Sequence, residues 1–312
     1  MTGLASVKRR VSGYREIQSI RTHRTRMMRR SALAYTRYLK RAQQAFCGPL
    51  TSSAEVERAV REFEQKGCTS FWDQENQGLA GSIFSKIRQE EERGQALWNT
   101  DLRYNKELFT AFPEIEQLFR GSLGSFLMGV YRAYFKIFYG ILYRSERVGE
   151  EPTGSQLWHD DGGPGTCIIV MFYLKDVTKE DGAMECVPWE ASRAIYEKSV
   201  LSGLVQQRLD AIKASGRALS REEARAVRCE YYREEIARSY QALVEQPTGR
   251  AGLLLPFRNN IIHKGGYPQP GQTRYVCVFH CYPSDKPTPF ERYRLAGIPK
   301  RGSLPRDPAE DF

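Results

Sequence analysis

The spacing of apolar residues changes twice along the chain, and the two changes divide it. Over residues 1–46, Arg and Lys alternate with Met27, Met28, Leu33, Tyr35, Tyr38 and Leu39. Apolar positions this sparse predict a mostly helical arm that must dock on something to be ordered, closed by Cys47-Gly48-Pro49. Ser52 or Ser53 then caps a second helix to about Lys66, whose Glu55, Glu57 and Glu62 place negative charge early in the helix. Residues 82–98 read as helix, and 113–132 as another that Gly121, Gly124 and Gly129 interrupt.

Near Phe135 the pattern turns to strand and stays so through 141–144, followed by a loop at 148–155 with Gly149, Pro152 and Gly154. Residues 156–161 read as a strand that passes through the turn Gly162-Gly163-Pro164-Gly165 into a nearly continuous apolar strand at 166–177. That glycine-rich turn lacks the Lys-Ser/Thr and following helix of a phosphate-binding loop. Another turn at 179–182 leads to a short strand at 183–188. Between 190 and 246 the period becomes helical, with Ile195, Leu204, Leu209, Ile212, Val227, Tyr231, Ile236, Tyr240 and Leu243 at helical spacing. Two or three helices are expected there, broken near Gly216, with Ser220-Arg221-Glu222-Glu223 as a capping box. Strands resume at 253–257 and 259–263, turn at Gly265-Gly266, and end in a long strand at 273–282. The Pro- and charge-rich tail from Pro283 is expected on the surface.

Short strands with turn signals at this spacing mark a barrel or sandwich, here with helical additions, so the expected class is α+β. At 312 residues the chain accommodates one catalytic domain, 51–312, preceded by a basic helical arm, 1–50. The helical insertion at 190–246 is either a lid over a site or plain packing.

Composition sharpens this picture in three places. The 41% hydrophobic and 12% aromatic content suffices for a sizeable core. The net charge of +10 is concentrated in the arm, since residues 1–50 hold twelve Lys/Arg and one acid, Glu16, and the remainder is close to neutral. An arm of this kind can contact nucleic acid, an anionic membrane surface or an acidic partner, or is simply solvated. The seven cysteines are odd in number and scattered, which argues for reduced thiols in a cytosol-like compartment. Cys277 and Cys281 without a second pair read as small hydrophobes, not a zinc site. No secretory signal is visible. The acid-poor, Arg-bearing start is also compatible with transit to the mitochondrial matrix. The most apolar long stretch, 121–143, contains Arg132 and Lys136 and is not a membrane span.

Four histidines are present, at 23, 159, 263 and 280. His159 and Asp161 are two apart, so on extended backbone both point to one face. His263 lies in the same strand-rich half. Two imidazoles and one carboxylate make the facial triad of non-haem Fe(II) oxygenases, which leaves metal positions open for a co-substrate and dioxygen. Arg274, on the next strand, offers a fixed fork for a carboxylate. That is what the distal carboxylate of 2-oxoglutarate requires. By alternation, Trp158 and Asp160 face away in structural roles.

Residues 155–161, the strand at 172–177, Asp181-Gly182 through Val187-Pro188, and His263-Lys264-Gly265-Gly266 through Arg274 together resemble the phytanoyl-CoA dioxygenase-like branch of the Fe(II)/2-oxoglutarate oxygenases. The resemblance spans roughly 138–188 and 251–283 and implies a double-stranded β-helix, or jelly-roll, core. It implies that His159, Asp161 and His263 bind Fe(II) and that Arg274 binds 2-oxoglutarate. Many relatives have a hydroxyl residue where this chain has Val276; Tyr143, Gln156 or Thr166 are the candidates to replace that contact. The retained Asp161 favours hydroxylation or desaturation over halogenation, on a small-molecule or lipid-like substrate. His280 stands where nucleobase-demethylating relatives carry a second arginine, which argues against nucleic acid; it reads mainly as a satisfied core histidine. The competing reading is a catalytically idle jelly-roll subunit that docks through the arm.

Overall fold

A computed structural model describes residues 32–48, 52–95, 97–99, 102–147, 149–161, 167–214 and 220–297. Of the arm, the described part is helix α1 (Ala32–Gln44). Its C-terminal half is anchored: Ala42 is fully buried, Tyr38 Oη donates to Pro283 O at 3.2 Å, and Gln43 Nε2 donates to Tyr131 O at 3.0 Å. The expectation for residues 1–31 lies outside the described residues.

Helix α2 (Ala54–Lys66) starts where Ser53 accepts from Val56 N, and it buries Val56, Ala59 and Phe63, one stripe at helical spacing. Helix α3 (Gln74–Glu92) differs from the expected 82–98 at both ends. It begins earlier because Asp73 is an N-cap, accepting from Asn76 N at 2.7 Å and from Ser122 Oγ at 2.6 Å. It stops before Gly94, whose φ is 71°. The expected helix at 113–132 is two, α5 (Ile115–Arg120) and α6 (Ser122–Tyr131), preceded by the single turn α4 (Leu108–Ala111). The bend between them brings Phe119 so close that a Cβ on Gly124 would lie 1.9 Å from Phe119 O. Only glycine fits there.

The main sheet is antiparallel, in the order β1 (Tyr134–Glu146), β6 (Thr273–Ser284), β2 (Ile168–Tyr173), β4 (Leu254–Arg258). Register aligns Ser145 with Arg274, Tyr143 with Val276, and Tyr139 with His280; on the other side of β6, Ile169 lies opposite His280 and Met171 opposite Val278. With a side-chain period of two, residues 274, 276, 278 and 280 share one face of β6. The opposite face carries Phe279, which meets Phe119 of α5 edge-on at 5.0 Å and lies in the main core.

A second, smaller antiparallel set pairs β3 (Glu185–Cys186) with β5 (His263–Lys264). Single bridges extend it on both sides, from His263 to His159 and from Cys186 to Glu245. Two expected strands are therefore much reduced. Residues 156–161 are not a strand: 154–156 form a 3-10 turn, and His159 contributes one bridge. Residues 259–262 are turn and bend, so His263 begins a short strand instead of ending one. The apolar strand expected at 166–177 is β2 alone, and the glycine turn at 162–165 lies outside the described residues.

The insertion forms α7 (Trp189–Ser202), α8 (Leu204–Ala214) and α9 (Arg221–Glu235), the last opened by the Ser220/Glu223 capping box. It builds its own apolar cluster from Ile195, Tyr231, Tyr232 and Ile236, which closes over Trp158, Val187 and Ile262. The tail forms α10 (Phe290–Ala296), and it is anchored: Tyr293 is buried, with its hydroxyl donating to Ile137 O at 2.7 Å. All seven cysteines are free, Cys277 and Cys281 fully buried. Among the described residues no helix is long and apolar enough to cross a membrane.

Candidate metal centre

Three backbone features bring the ligand-type residues together. Thr153 and Gln156 close a capping box around Gly154, and the chain leaves it extended at Leu157. His159 and His263 then exchange two backbone hydrogen bonds, each 2.8 Å, and Asp161 N donates to Asn259 O at 2.9 Å. Residues paired in this way present their side chains on the same side. The imidazole centroids are 4.4 Å apart.

Each imidazole is held in the same manner. His159 Nδ1 lies 2.7 Å from Leu157 O, and His263 Nδ1 lies 2.9 Å from Ile261 O. A carbonyl can only accept, so both Nδ1 atoms carry the proton and both Nε2 lone pairs are free for a metal. The Nε2 atoms converge on one carboxylate: His159 to Asp161 Oδ1 at 3.8 Å and His263 to Asp161 Oδ2 at 3.7 Å. These distances exceed a hydrogen bond and match two donors flanking one ion at about 2 Å each. Burial, reinforced by His263 alongside, pushes the His159 pKa down to about 3, so the ring is neutral and ready to ligate at neutral pH. The buried His159 and His263 with the partly buried Asp161 can hold a metal ion, and two imidazoles with one carboxylate is the donor set that suits Fe(II) with open positions.

The group opens into a cavity of about 120 Å³ that is also lined by Tyr143, Ser145, Arg274 and His280. Arg274 is 5% exposed, and burial holds its pKa below the usual guanidinium range. Its Nη1 donates to Gly182 O and its Nη2 to Ser145 Oγ at 3.3 Å, while Nε has no hydrogen-bond partner. The Gly182 carbonyl is delivered by a close crossing of two loops: a Cβ on Gly266 would lie 2.3 Å from Ala183 O. Among the described residues no carboxylate forms an ion pair with Arg274; burial works against its charge, which the Tyr173 side chain and the Asp181 carboxylate favour from nearby.

Of the residues singled out from sequence, His159, Asp161, His263, Arg274 and Tyr143 line this cavity together. Gln156 does not: its Oε1 accepts from Thr153 N at 3.1 Å inside the capping box. Thr166 lies outside the described residues. Trp158 and Asp160 face away, Trp158 into the insertion's cluster and Asp160 to the Tyr232 hydroxyl at 2.8 Å. The sequence reading missed Ser145 and Tyr139 and took His280 mainly as a core residue. His280 lines the cavity, with the Tyr139 ring edge-on at 5.0 Å. The signal was present, since 280 and 139 have the parity of Arg274 and Tyr143 on their respective strands.

No family model matches the chain, and no curated protein matches it. Among solved structures it is similar to the non-heme alpha-ketoglutarate-dependent carbocyclase SnoK from nogalamycin biosynthesis, at 15% identity over 74% of this chain and 87% of that one, with TM-score 0.45. It is also similar to HygX from Streptomyces hygroscopicus with nickel and 2-oxoglutarate bound, at 14% identity, 75% and 88% coverage and TM-score 0.47. EctD from S. alaskensis, with 2-oxoglutarate and 5-hydroxyectoine, aligns at 14% identity, 83% and 88% coverage and TM-score 0.47. Likenesses this distant leave the chemistry to be argued from the geometry of the site.

Proposed function

We propose that the chain is an Fe(II)- and 2-oxoglutarate-dependent oxygenase that hydroxylates or desaturates a C–H bond of a small-molecule or lipid-like substrate. The observation that carries this reading is the pairing, in one cavity, of a two-His-one-carboxylate group with a buried arginine whose Nε lacks a partner. A metalloprotein with no carboxylate co-substrate has no use for such a cation, whose desolvation is costly unless a ligand completes its hydrogen bonds.

His159, Asp161 and His263 would hold the iron on one side and leave its other positions facing the cavity. Arg274 would bind the distal carboxylate of 2-oxoglutarate, with Ser145 and the Gly182 carbonyl fixing the guanidinium plane. Tyr143, beside Val276 in register, supplies the hydroxyl that Val276 lacks. The carbonyls of Leu157 and Ile261 keep both imidazoles in the metal-binding tautomer. When bound, iron with 2-oxoglutarate and dioxygen supplies the oxidising power: one oxygen atom enters the substrate as a hydroxyl, the other enters succinate, and carbon dioxide leaves. Met171, Val278 and Ile169 give the cavity an apolar wall against which such a substrate packs and from which water is displaced.

Two further strands of support concern the fold and the family. The main sheet order β1-β6-β2-β4 and the short set 159–β5–β3–245, both of which line the cavity, support a jelly-roll core. The motif run noted in the sequence favours the phytanoyl-CoA dioxygenase-like branch. The test is anaerobic addition of Fe(II) and 2-oxoglutarate to the purified chain. A visible metal-to-ligand charge-transfer band is expected, and Arg274→Met should abolish it at the same co-substrate concentration. Wild-type protein that gives no band would overturn the reading.

A further inference from the structure

The ligand-bearing segments are short of regular structure. Residues 157–161 and 259–262 lie outside strands, His263 opens the two-residue strand β5, and the described backbone pairing of 157–161 with 259–263 is one bridge, His159 to His263, plus the Asp161 to Asn259 bond. Such segments do not hold three side chains in a fixed constellation without outside support. The insertion at 190–246 supplies polar contacts at the residues next to the ligands. Asp160, which lies between His159 and Asp161, accepts from Tyr232 Oη of α9 at 2.8 Å. Ile262, immediately before His263, donates its backbone N–H to Ser192 Oγ of α7 at 2.9 Å, and the same hydroxyl donates to Val187 O at 2.8 Å. Val187 adjoins Cys186, the β3 partner of His263. Tyr232 and Ser192 are 1% and 2% exposed; the Ser192 contacts are fully buried, and the Tyr232 contact is shielded on the tyrosine side while Asp160 is half-buried.

We propose that the insertion is a brace for the metal centre, with Tyr232 and Ser192 as positioning residues, one for each half of the triad. This rests on the metal-binding reading above. The physical basis is that a buried hydroxyl must find a partner, and in both cases the partner is backbone or side chain adjoining a ligand, although carbonyls within the helices themselves offer alternatives. Orientation of ligands through groups beyond them commonly changes metal affinity by about 10–100-fold. Tyr232 and Ser192 act one bond further out, so the lower end of that range is expected.

The plain alternative is that both hydroxyls only stabilise the packing of the insertion, and three variants of the full chain separate the two ideas. Ile195 is fully buried in the same apolar cluster and is not among the hydrogen bonds to the ligand segments. Co(II) is the probe, with affinity read by equilibrium dialysis and geometry by the visible spectrum of the bound ion, alongside thermal melts of the metal-free protein. Ile195→Ala should lower the melting temperature and leave Co(II) affinity and spectrum as in wild type. Tyr232→Phe keeps the ring and should weaken Co(II) about tenfold with an altered spectrum; Ser192→Ala should act in the same direction. If both hydroxyl variants bind Co(II) with wild-type affinity and spectrum, or if Ile195→Ala weakens binding equally, the brace is wrong and the metal site stands. If the wild-type chain itself binds no Co(II), the metal reading falls and the brace with it.

Discussion

The two walls of the cavity are built in opposite ways. One is the face of β6, a twelve-residue strand paired along both edges and backed by aromatic packing, which presents Arg274, Val276, Val278 and His280 in register. The other is an irregular segment at 157–161 and the turn that leads into the two-residue strand β5, joined by one bridge and the Asp161 to Asn259 bond, and it presents all three metal-ligand candidates. The long strand fixes spacing through backbone pairing, so its side chains are interchangeable in packing terms but not in position. On the turns, position depends on particular side chains and carbonyls: the Leu157 and Ile261 carbonyls, Asp160, and the Thr153 to Gln156 turn. Stability and chemistry are therefore separable in this molecule, and substitutions on the two walls should fail in different ways.

The largest effect should come from the back of the strand wall. Phe279 is fully buried and meets Phe119 edge-on. Phe279→Ala should lower unfolding free energy by about 3–5 kcal/mol, read by chemical denaturation. Among molecules still folded, metal affinity should be that of wild type. Metal binding that fails in step with stability would mean the two walls are not independent.

On the turn wall the expectation inverts. Asp161→Ala removes the carboxylate on which both Nε2 atoms converge, and Co(II) affinity should fall by more than about 100-fold, beyond what outlying partners cost. The metal-free variant should melt near the wild-type temperature, because Asp161 is only partly buried and its backbone bond to Asn259 remains. A large loss of stability would show that the turn carries part of the fold.

How far the sequence discloses each wall follows the same division. Strands β1, β2 and β6 are legible because apolar β-branched and aromatic residues run through them, and the α2 and α9 caps because Ser53 and Ser220 precede clear helical stripes. The ligand identities are legible because His, Asp and Arg are scarce residue types in a strand context. The local structure around them is not. The two-residue spacing of His159 and Asp161 is the same whether the segment pairs along its length or touches a partner once, and only the turn at Thr153–Gln156 and the position of β5 decide. That is also why Gln156 looked available when its side-chain oxygen was committed to its own turn. The early start of α3 was hidden because Asp73 and the residues after it are polar, and its cap is secured by Ser122, distant in the chain.

Acid should reveal the turn wall through His159. In the metal-free fold burial pushes its pKa down to about 3, from the usual 6.5 of histidine. Between those values the unfolded chain binds a proton that the folded one refuses, so stability is greatest above pH 6.5 and declines as pH falls toward 3. The slope from this one group approaches ~1 kcal/mol per pH unit near pH 5. Denaturation of chelator-stripped wild type and His159→Asn from pH 7 to 4.5 isolates it. The variant should lose stability less steeply, and parallel slopes would place the acid sensitivity elsewhere.

The smallest effect tests whether the strand wall contributes chemistry as well as shape. Ser145 lies opposite Arg274 in register and accepts from its Nη2 at 3.3 Å, a long bond. Gly182 O takes Nη1 independently, so the guanidinium keeps one fixed contact when the serine hydroxyl is removed. Ser145→Ala should therefore weaken 2-oxoglutarate by only about 0.5–1 kcal/mol, the net worth of one such hydrogen bond. Titrating the charge-transfer band of the Fe(II) protein reads this directly, and Co(II) affinity without co-substrate should not move. A loss as large as that of Arg274→Met would show that the arginine fork depends on its neighbour for orientation. In that case the strand wall, like the turns, positions its reactive group through particular side chains, and the contrast between the two walls would hold for stability alone.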